Sequence, residues 1–327
     1  MSQRNKLISV ITVNWNGKKW LKKYLNSVKN QTYKNIEIIV VDNASTDDSV
    51  EFISKFFPQV KIIKNKQNLG LAKATKIGIT NSLGEYMLFI NNDTWFNSDF
   101  IEKMHDFYIK NNYTVISAYE KRYFDDSAFL CNTTIDLTAS PAYYIPAYSR
   151  PDKIFYLTVC FFCTKKDYLQ TGGVDEDFFM YYEDVDWFWR LTLLGKKFAI
   201  AQDCFIHHAG AGSTGTGVKY KFFLWRNQNA LRTLIKNYST PMLIIILPIY
   251  LLQNIFEIIF FLFTLKPQVA FSYIEGWLYN VKNISETFRK RKWVQEHRVI
   301  NDLEIIKKMY LFPAKFVNFI DYLSIKQ

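Results

Sequence analysis

The chain has 327 residues, enough for one large domain or one domain with an appendage. With 49% apolar and 17% aromatic residues it can build a sizeable core, which excludes a globally disordered protein. The formal charge of +11 suits phosphate-bearing ligands, an anionic membrane surface or nucleic acid, and four cysteines are too few for a disulfide scaffold.

Leu7–Val13 is a short β-branched run that reads as a buried strand ended by Asn16-Gly17. It is too short for a secretory signal, so a cytoplasmic catalytic portion is expected. Trp20–Lys29 has helical apolar spacing, and Glu37–Val41 is a second strand that ends on Asp42. Ser45-Thr46-Asp47-Asp48 offers an N-cap and first-turn acids to a helix that reaches Phe57, where Pro58 stops it. Val60–Lys64 is a third strand, Leu71–Asn81 a helix, and Tyr86–Ile90 a fourth strand running into Asn91-Asn92-Asp93-Thr94. Asn97-Ser98 can cap a helix from Asp99 to about Lys110, and Thr114–Ala118 is a fifth strand. This alternation predicts an α/β fold, a mainly parallel sheet covered on both faces. Such sheets bind ligands beyond the carboxyl ends of their strands. Asn14 and Asn16, Asp42 and Asn43, and Asn91 and Asp93 all stand there. Each is also a common turn former, but three polar strand ends together point to a ligand site.

Residues 122–156, rich in proline and tyrosine, read as a loop-rich insertion suited to acceptor selection. Cys160-Phe161-Phe162-Cys163 has metal-ligand spacing but no second pair, and reads as reduced thiols in a buried strand. After Gly172-Gly173, the acids Glu183, Asp184 and Asp186 open a helix to Leu194 that Gly195 ends. Asp186 can pair with Arg190 four residues on, whereas a carboxylate here could also take a proton from an acceptor. A strand begun at Lys197 ends in His207-His208, a pair suited to metal or phosphate contact. The apolar stretch 241–265 approaches transmembrane length, yet Gln253, Asn254 and Glu257 interrupt it. Both its flanks are basic, which disfavours a single span, so a re-entrant or in-plane helical pair broken near Pro248 is expected.

These stretches resemble family 2 glycosyltransferases of the GT-A fold, in their bacterial rhamnosyltransferase-like branch. The likeness is carried by Val13-Asn14-Trp15-Asn16-Gly17, Val41-Asp42-Asn43-Ala44-Ser45-Thr46-Asp47, Asn68-Leu69-Gly70-Leu71-Ala72, Leu88-Phe89-Ile90-Asn91-Asn92-Asp93-Thr94, the Gly172–Asp186 run and His207-His208. It covers nearly the whole chain and is weakest from Tyr119 to Tyr156.

The resemblance implies a GT-A catalytic domain over 1–235, its nucleotide-binding half ending near 118, and a helical membrane-associated region over 236–327. It implies inverting transfer of a sugar, rhamnose in this branch, from a dTDP-, UDP- or GDP-linked donor. The acceptor would be a glycan or a lipid-linked molecule of the cell envelope, met at the cytoplasmic side of an anionic membrane. Asp42 would contact the base near Val13 and Asn14, with Asn43, Asn68, Lys76 and Asn92 completing the nucleotide site. Asp93 and His207 would hold Mn2+ or Mg2+. Asp184 would be the general base, with Glu183 and Trp187 contacting sugar or acceptor. The chain departs from the family pattern at Asn91, where the motif often begins with Asp, and at Lys76, where the pattern has Asn. Those departures motivate a second reading, an inactive relative serving as a membrane-bound assembly subunit. Basic residues are scattered with no recognition module, so nucleic acid is not an expected partner, while a homo-oligomer is compatible with the sequence.

Overall fold

The computed structural model describes residues 6–122, 134–141, 155–156, 160–210 and 220–316. These fall into two compact units, one within Met1–Cys131, Leu157–Phe179 and Lys196–Thr216, the other within Asn132–Tyr156, Met180–Gly195 and Gly217–Gln327.

The first unit is built on one mixed sheet. Its parallel half comprises β1 (Ile8–Asn14), β2 (Ile36–Asp42), β3 (Lys61–Lys64) and β4 (Tyr86–Ile90), in the order β3-β2-β1-β4. Helices α1 (Lys18–Lys29), α2 (Ser49–Phe56) and α3 (Leu71–Thr80) connect these strands. β1 and β4 are buried almost throughout, which is why they read as continuous apolar runs and not as alternation.

Past β4 the sheet changes direction. β5 (Thr94–Phe96), β6 (Val115–Arg122), β7 (Cys160–Thr164) and β8 (Phe198–His208) complete the order as β4-β7-β6-β8-β5. β7 is antiparallel to both β4 and β6, β8 runs parallel to β6, and β5 lies antiparallel to β8 at the edge. α4 (Phe100–Lys110) and α5 (Lys165–Gln170) finish the unit.

Local departures from the sequence reading have local causes. α4 has no side-chain cap: Phe100 donates its backbone N–H to the Asn97 carbonyl instead. The fifth expected strand runs past Ala118 to Arg122 because β8 supplies a partner beyond an irregularity between Ser117 and Tyr119. Cys160 and Cys163 are free, buried thiols in β7, three residues apart and so on opposite faces of the strand. Burial pushes the Cys160 thiol up to about 11, which leaves it protonated and inert.

The second unit is helical: α6 (Glu183–Leu193), α7 (Tyr220–Asn237), α8 (Thr240–Phe263), α9 (Pro267–Lys282), α10 (Ile284–His297) and α11 (Asp302–Lys308). Gly195, in the left-handed region at φ 67°, ends α6 as expected. The expected border at 235 corresponds to no break in the chain: α7 runs through it and packs on α9 and α10 through its buried stretch Asn227–Asn237. α6 therefore groups with the C-terminal helices and not with the sheet. The expected break near Pro248 is also absent, since α8 is one helix from Thr240 to Phe263. A proline removes a single i→i−4 hydrogen bond, and here the surrounding turns continue the helix. Most of the 122–156 insertion lies outside the described residues. Its described turn at 134–141 is organised by buried Asp136, which accepts from Thr138, Ser140 and the backbone of Ala314.

α8 carries its polarity inside out. Ile246, Tyr250 and Asn254 face the protein and are buried. Lys315 reaches Asn254 at 3.2 Å and Glu257 at 2.7 Å, so the acid that interrupts the apolar run is neutralised from within the unit. Ile245, Ile249, Leu252, Phe256, Ile259 and Phe263 recur at alternating steps of four and three, and all are exposed. Among the described residues α8 is the one helix long and apolar enough to cross a bilayer.

Candidate active site

Three strand ends of the first unit are tied into one polar network. Asn14 and Asp42 are direct neighbours in the β1–β2 register. Asn14 donates to Asp42 Oδ1 at 3.0 Å and accepts from Asn92 at 2.8 Å. Ser45 N–H donates to Asp42 Oδ2 at 3.0 Å. Gly17 completes this arrangement, because a Cβ there would fall onto the Asn92 and Asn14 amides. Asn14, Asp42 and Asn43 are buried, while Val13, Asn68 and Asn92 are half-buried. Asn43 pins the next loop by donating to Asn68 Oδ1 and the Gly70 carbonyl and accepting from Asn65 and Leu69. Lys76 stands on the exposed side of α3 and pairs with Glu176 at 2.6 Å. Of the expected nucleotide residues, Asn14, Asp42 and Asn92 come together directly, Asn43 and Asn68 shape the adjoining loop, and Lys76 forms a surface ion pair.

Asp93 lies beside this network and is 7% exposed. β5 pairs with β8 so that Thr94 opposes His208 and Trp95 opposes His207. Successive strand residues point to opposite faces, so only one of the two histidines can turn toward Asp93. It is His208: Nε2 lies 3.2 Å from Asp93 Oδ1, and Nδ1 lies 2.6 Å from Glu120 Oε1. His207 stacks instead on Trp95, with ring centroids 5.4 Å apart. Burial opposes charge on His208, but its hydrogen bonds to Asp93 and Glu120 outweigh that and lift the imidazole to about 10.

Among the described residues no group of three or more His, Cys, Asp or Glu is arranged to hold a metal ion. Asp93 and His208 would offer oxygen and imidazole donors of the kinds manganese accepts, the imidazole once a cation displaces the Nε2 proton held toward Asp93. The pair fits a cation that draws its remaining oxygens from a ligand. Glu120 was missed in the sequence because the expected strand stopped at Ala118, and the run Tyr119-Glu120-Lys121-Arg122 carries no alternation that would have extended it.

The second unit carries the other acids. Tyr181 and Tyr182 both have φ of 69°, and the chain then enters α6 at Glu183-Asp184. Two bulky residues in the left-handed region cost about 1–2 kcal/mol each, a concentration of strain typical of functional segments. Burial pushes the Glu183 carboxyl up, and the neighbouring Asp184 charge pushes it further. Asp184 is also raised by burial, partly offset by the Val185 N–H and the Arg226 guanidinium. Glu183 Oε2 is buried and has no hydrogen-bond partner among the described residues. Asp186 has a different role. It is wholly buried and accepts from Arg190 at 2.9 Å, Lys236 at 2.9 Å and Asn237 at 3.1 Å. Trp187, expected at the sugar or acceptor, is 0% exposed and lies in the core of α6, which is buried nearly all round.

The model of the family described as "Glycosyl transferase family 2" matches residues 9–173, half of the chain. The chain belongs to glycosyl transferase family 2. GlyA of Streptococcus pneumoniae, a glycosyltransferase, is 38% identical over 100 residues, which are 30% of this chain and 14% of GlyA. An uncharacterized glycosyltransferase of Haemophilus influenzae is 36% identical over 117 residues, 35% of this chain and 36% of that protein. The matches thus span well under two thirds of these relatives. Among solved structures, S. aureus TarS 1–349 in complex with UDP superposes with a TM-score of 0.52 at 16% identity, over 71% of this chain and 66% of that one. GalNAc-T7 with UDP, GalNAc and Mn2+ gives 0.57 at 15% identity, over 72% and 49%. These likenesses show the fold, and this family 2 member has the GT-A architecture.

Proposed function

We propose that this family 2 protein is an inverting glycosyltransferase that moves a sugar from a nucleotide diphosphate donor to a glycan or lipid-linked acceptor of the cell envelope. The observation that carries the reading is the joined network of Asn14, Asp42 and Asn92 at three strand ends, with Asp93 and His208 beside it. Asp42, held rigid by Asn14 and Ser45, orients the nucleotide base near Val13. Asp93 and His208 hold a divalent cation, manganese or magnesium, whose chemistry is to neutralise charge on the leaving diphosphate. Asp184 takes the proton of the acceptor hydroxyl, and its elevated carboxyl suits it to that task near neutral pH. Glu183, with a buried oxygen still to be satisfied, hydrogen-bonds a hydroxyl of sugar or acceptor. The UDP in the TarS complex and the Mn2+ with GalNAc-T7 support a nucleotide donor and metal use, while rhamnose remains the donor sugar of the resembling branch. Replacing Asp93 by Ala lowers manganese-stimulated turnover at least ~100-fold. Wild-type turnover and an unchanged manganese requirement in that variant would refute the ligand assignment.

The inside-out polarity of α8 supports association with the cytoplasmic face of an anionic membrane. A helix whose outer face is more apolar than its inner face is suited to acyl chains, and the chain's net charge of +11 suits anionic headgroups. The protein is expected to co-float with phosphatidylglycerol vesicles. Ile249→Asp combined with Phe256→Asp lowers the bound fraction about tenfold, and wild-type flotation of that variant would contradict the assignment.

A further inference from the structure

We infer that Asn229 of α7 is a positioning residue that fixes the turn presenting Glu183 and Asp184; the inference rests on the reading of Asp184 as general base. Asn229 is 0% exposed, and its amide nitrogen donates to the carbonyls of Met180 at 2.9 Å and Tyr181 at 2.8 Å. Those two carbonyls flank Tyr181, the first of the two residues in the left-handed region. One side chain therefore ties down the peptide planes on both sides of a strained residue. The Tyr182 carbonyl then accepts from Asp186 N–H at 2.9 Å, which starts α6. Backbone strain of this kind persists only where the surroundings over-determine it; from α7, Phe222 packs edge-on against the Tyr181 ring and Asn229 holds the backbone on both sides of it.

Asn229 Oδ1 is buried and has no hydrogen-bond partner among the described residues. Removing the amide would strip the Met180 and Tyr181 carbonyls of this donor, so the contact bears on local stability as well as on position. An apolar side chain cannot hold both carbonyls. The anchor is itself fixed: Tyr250 of α8 donates to the Asn227 carbonyl at 3.2 Å, and Asn280 of α9 donates to the Gln228 carbonyl at 2.9 Å. The run Asn227-Gln228-Asn229, polar yet inside the buried stretch of α7, is the sequence trace of this arrangement.

Asn229→Leu keeps the volume and removes both donors. Two measurements test it: nucleoside diphosphate release from a panel of UDP-, dTDP- and GDP-sugars with manganese, and amide hydrogen exchange of the segment 180–187. The expected result is a kcat at least about 30-fold lower, with donor KM within about threefold and a cooperative melt that keeps the protein folded at the assay temperature. Exchange in 180–187 should accelerate while the core of the sheet does not change. Asn229→Ser, which keeps one donor, should fall between wild type and Asn229→Leu in both readouts. A folded Asn229→Leu with kcat within twofold of wild type and unaltered exchange overturns the inference. Asp184→Asn run in parallel separates the two failures: if it keeps full release the base reading is wrong, whereas collapse in Asp184→Asn beside normal Asn229→Leu overturns only the positioning role.

Discussion

Asp184→Asn is expected to lower glycosyl transfer by about three orders of magnitude while leaving nucleotide binding intact, since general bases contribute 10²–10⁴-fold. The amide is nearly isosteric with the carboxylate, so α6 keeps its first turn and only the proton acceptor is lost. Wild-type activity should decline as pH falls through the raised carboxylate range near 6, because the base is then protonated. Stability should move the other way. A carboxyl whose folded pKa lies above its unfolded value stabilises the fold below the unfolded pKa, and that contribution is lost as pH rises through the folded one. At pH 8 wild type therefore carries the cost of a buried charge near Glu183, and Asp184→Asn should be more stable by about 1–2 kcal/mol. At pH 4 the difference should nearly vanish. Thermal melts at the two pH values, set beside a transfer assay, check both halves. A variant that transfers normally or gains no stability at pH 8 contradicts the placement of this carboxyl.

Asp186→Ala should act on the fold and not on the proton. Asp186 is the shared acceptor of Arg190, Lys236 and Asn237, and both cations are at most 4% exposed. Removing the carboxylate leaves two buried cations without it, and breaking a buried ion pair in this way costs about 3–5 kcal/mol. Lys236→Met should cost less, below about 2 kcal/mol, because Asp186 keeps its charge partner Arg190. Urea unfolding of the two variants measures the difference. Equal losses would show that Asp186 is not the hub of the cluster.

The parts of this molecule that were legible in the sequence are those set by local periodicity. Continuous apolar runs marked β1, β2 and β4, and the polar residues closing them proved to be one network because parallel strands bring their carboxyl ends together. The i,i+4 pairing of Asp186 with Arg190 is equally local. What was hidden depended on distant partners. β5 has only three residues, too few for a period, and the choice of His208 over His207 follows from its register on β8. Lys236 reaches Asp186 across fifty positions, and Asn229 reaches Met180 across forty-nine, so neither contact leaves a spacing signal. Trp187 was expected at the sugar or acceptor only through the family resemblance. Its burial comes from distant segments packed on α6, α7 among them, which no pattern within α6 records.

The central claim is sugar transfer from a nucleotide diphosphate donor, and nucleoside diphosphate release by purified protein measures it most directly. UDP-, dTDP- and GDP-sugars would be offered in turn, with manganese and then with excess chelator. The account predicts release from donors of one nucleotide, its loss in chelator, and a drop of about three orders of magnitude in Asp184→Asn. No release from any donor, together with no calorimetric binding of UDP, dTDP or GDP at millimolar concentration with manganese, would contradict it and favour an inactive assembly subunit.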